Sequence, residues 1–412
     1  MVSYKILHIS TKDSGGAGIA AIRLHKSMLD AGVQSQFLCL QKTSDVKNVE
    51  VFPKFFPRFY HRILERFGVL LTADQKNALQ LKKVHQHCAP EMYSFPHSDY
   101  KIHKHPLIQW ANVIIIHWVA GFLDYKSFFK NIPKETQVFW YTHDFSMILG
   151  GFHTLFDDKR FQQPFVRNLE KTLKKEKRQY LSAFKGLNVI ANSQFSYDVI
   201  EKANITNKDH IHCVPLGLPE GELVKIDKAI AKQALGFSTK DVIVLSVSAS
   251  LSTKRKGMYR LLEVIKRVSK QINNLHVLTM GADLPTDIKQ ELNIKPMGSV
   301  WQPEFKSIVF SAADVVVSTS YEETFGQTII EGYACGTPAL VFNNAALPEL
   351  IIDGETGYVA DTTAEFAEYL LALAKNRAKV MAMGQQAYNH FKEHYTSEHQ
   401  VKALLKLLDP TH

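Results

Sequence analysis

At 412 residues the chain exceeds one ordinary hydrophobic core and is expected to divide into two domains of about 200 residues each. Its composition, 45% hydrophobic and 22% charged, is that of a globular protein, and no segment approaches the roughly 20 uninterrupted apolar residues that span a bilayer as a helix, which excludes an integral helical membrane protein. The net charge of +9 belongs to one half: residues 1–220 hold 29 Lys and Arg against 19 Asp and Glu, whereas residues 221–412 hold 20 against 21. Such asymmetry asks for an anionic partner, either a phosphorylated acceptor or an acidic membrane surface. Nucleic acid is not expected, since the chain has no RNP-like aromatic motif, zinc finger or basic recognition helix.

The chain enters a strand pattern directly after Met1 and has no small-residue cleavage site behind an apolar core. This reads as an unprocessed cytoplasmic protein, with peripheral attachment to the inner face of the membrane as a further expectation. The first strand, 4–10, leads into Ser14-Gly15-Gly16-Ala17-Gly18 and then an amphipathic helix over 19–29. Further strands are predicted at 36–41, 113–117, 137–142, 187–191 and 210–214. Residues 45–110 are aromatic, basic and rich in histidine, and are expected to form an insertion of helices and loops. Within them, Lys54-Phe55-Phe56-Pro57-Arg58-Phe59 and the residues on to Phe67 alternate aromatics with cations. That run suits either a bilayer interface or a helix packed on the first domain. A second basic helix, 167–178, reads as a solvated face.

Val214-Pro215-Leu216-Gly217-Leu218-Pro219 ends this series. We expect an N-terminal domain over 1–218, a second over 219–390, and a C-terminal helix, 391–412, crossing back to the first. In the second domain, strands at 242–247, 275–280, 314–318 and 338–342 alternate with helices at 258–272, 304–312 and 327–333. The alternation predicts an α/β fold of two Rossmann-like doubly wound domains, whose ligands bind beyond the strand C-termini in a cleft between them.

Four cysteines, Cys39, Cys88, Cys213 and Cys335, lack CxxC spacing and are read as buried thiols rather than disulfide or zinc ligands. His85, His87, His103 and His105 form two separated pairs without carboxylates at ligand spacing, so no metal site is expected. More telling is Glu323-Thr324-Phe325-Gly326-Gln327-Thr328-Ile329-Ile330-Glu331, a loop that leaves a strand and opens a helix. Free amides and the positive helix end favour anionic or hydroxyl-rich ligands there, and Glu331 lies about two turns into the helix, on the same face as the loop. The bland alternative makes Glu323 a helix cap and Glu331 a solvated residue. Lys254-Arg255-Lys256-Gly257 follows a strand and precedes a helix, where cations and amides would converge on a diphosphate or simply form a basic turn. Alone, the glycine loop is weak evidence, because it lacks a complete G-x-G-x-x-G.

The order from Ser320 to Gly326, continued by Glu331-Gly332-Tyr333-Ala334-Cys335-Gly336-Thr337-Pro338, resembles the E-x7-E donor motif of GT4-type retaining glycosyltransferases. His143-Asp144 followed by Gly150-Gly151-Phe152-His153, with His117-Trp118 before it, resembles a segment of the bacterial polysaccharide-biosynthesis subset of that family. The resemblance implies the GT-B fold and transfer of a hexosyl or related sugar from a nucleotide diphosphate sugar to a hydroxyl acceptor, a glycan or lipid-linked saccharide, with retention of configuration. It implies donor contacts at Gly16, Arg255, Lys256, Glu323, Thr324, Phe325, Gly326, Gln327 and Glu331, the last gripping the ribose hydroxyls. Acceptor contacts fall on Gly15, Gly16, His117, His143 and Asp144, and catalytic roles on His143, Lys256, Arg255 and Glu323. No cofactor or metal is implied. The family's usual arginine five residues before the lysine is replaced by Leu251, which leaves Arg255, or more weakly Lys254, to take its role. A nucleotide-sugar epimerase of similar shape and a non-catalytic sugar-nucleotide or glycan-binding subunit are the alternatives.

Overall fold

A computed structural model describes residues 4–53, 63–64, 66–69, 72–290 and 294–408. Phe55, Phe56 and Phe59 of the aromatic and basic run therefore lie outside the described residues. The chain divides into two compact units, Met1–Val214 and Pro215–His412.

The first unit is built on seven parallel strands: β1 (Lys5–Ile9), β2 (Gln34–Cys39), β3 (Val49–Val51), β4 (Val113–Ile116), β5 (Gln137–Tyr141), β6 (Leu187–Ala191) and β7 (Ile211–Cys213). Their spatial order is β3-β2-β1-β4-β5-β6-β7. All four residues of β4, Val-Ile-Ile-Ile, are buried, as a strand covered by helices on both faces requires. Strand β3 was not predicted, because three partly exposed residues carry no apolar run. The basic helix is longer than expected, Pro164–Ala183, and only half solvated. Val166, Glu170, Leu173, Lys177 and Leu181 recur at helical spacing and are buried, so two of its charges face inward.

The second unit has six parallel strands: β8 (Val242–Ser250), β9 (Leu275–Ala282), β10 (Ile294–Gly298), β11 (Val315–Ser318), β12 (Ala339–Phe342) and β13 (Gly357–Ala360), in the order β10-β9-β8-β11-β12-β13. The two strands missed in the sequence, β10 and β13, are the two edges. Edge strands need no continuous apolar run, and β10 carries Pro296, where its register shifts. Under the sheet Lys232 is buried, with Nζ 2.7 Å from Asp314 Oδ2 and 2.6 Å from the Asp241 carbonyl, so the charge is paired and its protons are used.

The tail forms three helices, Thr363–Lys375, Arg377–His394 and Ser397–Leu408. Leu218 N–H donates to the Tyr395 carbonyl (2.9 Å), Ser397 N–H to the Leu218 carbonyl (3.0 Å), and Gly217 N–H to Gln400 Oε1 (3.0 Å). A Cβ on Gly217 would lie 2.6 Å from Ser397 Cα, so only glycine permits this approach. The start of the second unit and its last helix are thereby strapped together.

Each sheet reverses its winding once, between β1 and β4 and again between β8 and β11. At such a switch point the flanking loops run to opposite sides and leave a crevice at the strand ends. The Lys254–Lys256 turn and the Ser320–Gly326 loop follow β8 and β11, the glycine loop and His117 follow β1 and β4, and His143 and Asp144 follow the adjacent β5.

Candidate functional site

In the second unit, β8 runs into a short 3-10 turn, Lys254–Lys256, and Gly257 starts the helix Met258–Val268. Gly257 has φ +70°, and a Cβ there would lie 2.0 Å from the Thr319 carbonyl oxygen. Its absence lets the turn press on the loop that follows β11. Hydrogen bonds join them, among them Thr319 Oγ1 to the Gly257 carbonyl (2.9 Å), Tyr321 N–H to the Arg255 carbonyl (2.8 Å) and Arg255 Nη1 to the Glu322 carbonyl (2.6 Å). The contact aims two cations at Glu323. Its Oε1 accepts from Lys256 Nζ at 2.7 Å and from Ser320 Oγ at 2.8 Å, and Arg255 Nη1 stands 3.7 Å from Oε2.

Burial by itself would raise the Glu323 pKa, but Lys256, Arg255 and the hydrogen bonds outweigh it and hold the carboxyl below its usual range. Glu323 is therefore ionised and accepts only, which makes it the counter-ion that orients Lys256. Lys256 and Arg255 thus stand with Glu323 in the loop that leads into the helix Gln327–Ala334, which Gly326 opens at φ +118°. Phe325 is buried, its ring centroid 6.1 Å from that of Tyr395. Glu331 is only 5% exposed and its Oε1 is 2.8 Å from Lys306 Nζ, so it is a buried, paired carboxylate and not a solvated one. Leu251, where the family's arginine would stand, is packed into the core of this unit. Lys254 is exposed, whereas Arg255 faces the same loop as Lys256.

In the first unit the glycine loop opens the helix Gly15–Asp30. Gly15 has φ +70°, Gly16 is exposed in the first turn, and a Cβ on Gly18 would lie 2.6 Å from the Lys12 carbonyl. The Asp13 carboxylate anchors the neighbouring loop, accepting from Thr43 N–H (2.8 Å), Thr43 Oγ1 (2.7 Å) and Ser44 N–H (2.9 Å). Across the switch point, Thr11 N–H donates to the Trp118 carbonyl (2.6 Å) and Thr11 Oγ1 to that of Ala120 (2.9 Å), tying the loops after β1 and β4 together.

Three histidines cross the sheet there in a row. His8 Nδ1 is 2.9 Å from His117 Nε2, and His117 Nδ1 is 3.0 Å from His143 Nε2. Burial drives the pKa of His8 and His117 well below the usual value and that of His143 to about 4, so all three are neutral at physiological pH.

Asp144 does not join that row. Its Oδ2 is 2.5 Å from His153 Nδ1, and its Oδ1 accepts from Ser146 N–H (2.9 Å) and Oγ (2.6 Å). Burial would raise its pKa, but His153 and Ser146 bring it down to about 2. Glu170 closes the same segment, its carboxylate accepting from Gly150 N–H (3.0 Å) and Gly151 N–H (2.6 Å). Both glycines are needed: a Cβ would lie 2.5 Å from the Glu170 carbonyl at Gly150 and 2.1 Å from the Tyr93 ring at Gly151.

Sequence reasoning missed Lys306, Ser320, His8 and Glu170. Only Ser320 lay inside a quoted motif; the others meet their partners across the fold and leave no local spacing to read. Elsewhere, His87 stacks on Phe165 and His105 Nε2 is 3.1 Å from Glu50 Oε1. Among the described residues no group of three or more His, Cys, Asp or Glu side chains is assembled as metal ligands. Cys213 is exposed, contrary to the expectation of four buried thiols, because it ends the edge strand β7.

Two doubly wound parallel sheets, each with a switch point, are the GT-B arrangement, and solved structures similar to this one share it. HepE from Anabaena, determined with UDP and glucose, aligns over 98% of this chain and 99% of its own with TM-score 0.66 and 16% identity. WaaG, described as a glycosyltransferase involved in lipopolysaccharide biosynthesis, aligns over 97% and 98% with TM-score 0.64 and 15% identity. At these identities the likeness establishes the fold. Residues 227–390, which lie in the second unit and include the Glu323–Glu331 loop and helix, match the family described as glycosyl transferases group 1. A D-inositol 3-phosphate glycosyltransferase from Rhodococcus opacus is 26% identical over 200 residues, 44% of this chain and 43% of that protein. The match thus spans less than half the length of this curated relative.

Proposed function

We propose that the protein transfers a sugar from a nucleotide diphosphate sugar to a hydroxyl acceptor, a glycan or lipid-linked saccharide, with retention of configuration, in bacterial surface polysaccharide assembly. The observation that carries the reading is the contact between the Lys254–Lys256 turn and the Ser320-to-Gly326 loop at the β8/β11 switch point. It joins two oriented cations, a helix N-terminus and, about one turn into that helix, a buried carboxylate. A diphosphate is served by the first two and a ribose diol by the third.

Lys256 and Arg255 would stabilise the charge that grows on the departing diphosphate. No side chain of the set is an evident covalent nucleophile, and ionised Glu323 is committed to Lys256. Retention is then best served by attack on the same face as the leaving group, with the diphosphate taking the acceptor's proton. Thr324, Phe325, Gly326 and Gln327 would hold the sugar and phosphates through backbone groups. In the first unit Gly15, Gly16, His117, His143 and Asp144 would form the acceptor side, Asp144 by holding His153 and not by direct contact. No cofactor or metal takes part in this scheme.

The test is a panel of nucleotide sugars, followed by thermal shift and by slow donor hydrolysis. Stabilisation by one nucleoside diphosphate family together with hydrolysis supports the reading. Stabilisation without any turnover would favour a binding subunit, and turnover to an isomeric sugar nucleotide an epimerase.

A further inference from the structure

Lys306 stands where its own helix does not favour a cation. It is the fourth residue of the helix Pro303–Ala312, in the turn where unpaired backbone N–H groups and the positive end of the helix dipole already gather. Its side chain is 15% exposed and meets that of Glu331, 7% exposed, across 2.8 Å. Two charges so far out of water recover in mutual attraction little more than their burial costs, and apolar side chains of similar size would serve stability as well. Neither the helix nor the core therefore accounts for a lysine at this position.

The place of the pair in the fold does. Glu331 is the fifth residue of the helix Gln327–Ala334, and the two helices start beyond the carboxyl ends of β10 and β11, the side of a parallel sheet on which ligands bind. Lys306 Nζ also lies 5.9 Å from the centroid of the buried Phe310 ring, an apolar wall one turn further along the helix. An ammonium has three N–H groups, of which the bond to Glu331 uses one.

A hydroxyl group is a donor and an acceptor at once. One that gives its proton to the Glu331 carboxylate can take an N–H from Lys306 in the same position, because partners 2.8 Å apart can both touch a third polar atom at hydrogen-bond distance. A carboxylate alone reads only the O–H of a sugar. The pair reads the O–H and the oxygen lone pair together, and a C–H in their place satisfies neither.

We propose that Lys306 is a nucleotide-binding residue which, with Glu331, reads one hydroxyl of the ribose diol from both sides: the hydroxyl proton lies on the carboxylate and a Lys306 N–H on the hydroxyl oxygen. This role rests on the functional reading above, in which Glu331 meets the ribose, and adds to it a cation that lies outside the Glu323-to-Glu331 motif.

The test is calorimetric titration of the full chain with UDP, GDP, ADP and CDP. The tightest of the four is then compared with its 2′-deoxy and 3′-deoxy analogues in wild type, Lys306→Met and Lys306→Arg. Loss of the hydroxyl that is read should weaken wild-type binding by roughly a hundredfold. Lys306→Met should weaken the parent nucleotide by roughly tenfold and shrink the deoxy penalty by the same factor, and Lys306→Arg should keep most of that penalty. A lysine with a structural role only would weaken parent and deoxy nucleotides alike, so an equal penalty in wild type and Lys306→Met overturns the proposal. Wild-type affinities unchanged by either deoxy substitution overturn it too, and decide alone should the variants fail to fold. Binding of none of the four nucleotides defeats the functional reading and this role with it; binding without discrimination between ribose and its deoxy forms defeats this role alone.

Discussion

Lys256 and Lys254 stand two residues apart in one turn, yet only Lys256 is drawn onto the loop beyond β11. Charge on the leaving diphosphate grows in the transition state, so Lys256→Ala should lower turnover by roughly a hundredfold, the order seen when one such donor is removed. Lys254→Ala should change it little, and Arg255→Ala should resemble Lys256→Ala. Steady-state rates of the three variants check this; equal mild losses would assign the diphosphate to backbone amides instead. Glu331→Ala should weaken nucleoside diphosphate binding by about 1.5–3 kcal/mol, the worth of a charge-assisted hydrogen bond, in calorimetric titration. The pair also has a structural side: Lys306→Ala leaves a buried carboxylate without its cation and should cost about 3 kcal/mol in denaturant unfolding. A Lys306→Met, Glu331→Gln double variant should be more stable than Lys306→Ala, and the reverse order would deny the pairing. Glu323 and Glu331 were legible because their eight-residue spacing is a property of one loop and one helix. Lys306 was not, since it reaches Glu331 from the separate helix Pro303–Ala312.

The elements around the first switch point keep their histidines neutral by burial, and this has a pH consequence. Below about pH 6.5 the unfolded chain binds protons that folded His8, His25, His117 and His143 refuse, so stability falls as pH falls. For His25 and His143 the decline ends near pH 4, where the folded rings themselves titrate. The Asp144 contribution has the opposite origin: it is fully present above the unfolded value of 3.8 and is lost as pH falls towards about 2. Denaturant midpoints should therefore drop between pH 6.5 and 4, with a shallower drop in His143→Phe. An unchanged slope in that variant would mean that His143 is not held neutral by the fold. Central strands such as β4 and β5 were readable as apolar runs because both faces are covered. The edge strands β3, β10 and β13 were not, because pairing at an edge is imposed by the neighbouring strand more than by their own residues. The break between the last two helices, at Tyr395, falls where the chain straps onto Gly217 and Leu218.

At the scale of the molecule, the basic excess of residues 1–220 is the feature that the proposed donor chemistry does not use. No helix among the described residues is long and apolar enough to cross a membrane. We expect the protein to co-sediment with vesicles containing anionic lipid and to be released as salt rises, since such attraction is screened over about 10 Å at 0.1 M salt. Replacing Phe55 and Phe56 by serine should remove a salt-resistant part of the binding in a still-folded chain. No binding at low salt would point to a soluble acceptor. What the sequence determined by itself was whatever repeats locally. The alternation of strand and helix yields two doubly wound sheets, glycines mark where backbones approach, and the Glu323-to-Glu331 spacing marks a loop opening a helix. What only the tertiary structure decided was which charges and rings meet: Lys256 and Arg255 on Glu323, Lys306 on Glu331, Asp144 on His153 and not on the row, and His8 behind His117 and His143. Those partners lie on different strands and helices, and their distances depend on strand order and register, which local propensity does not encode.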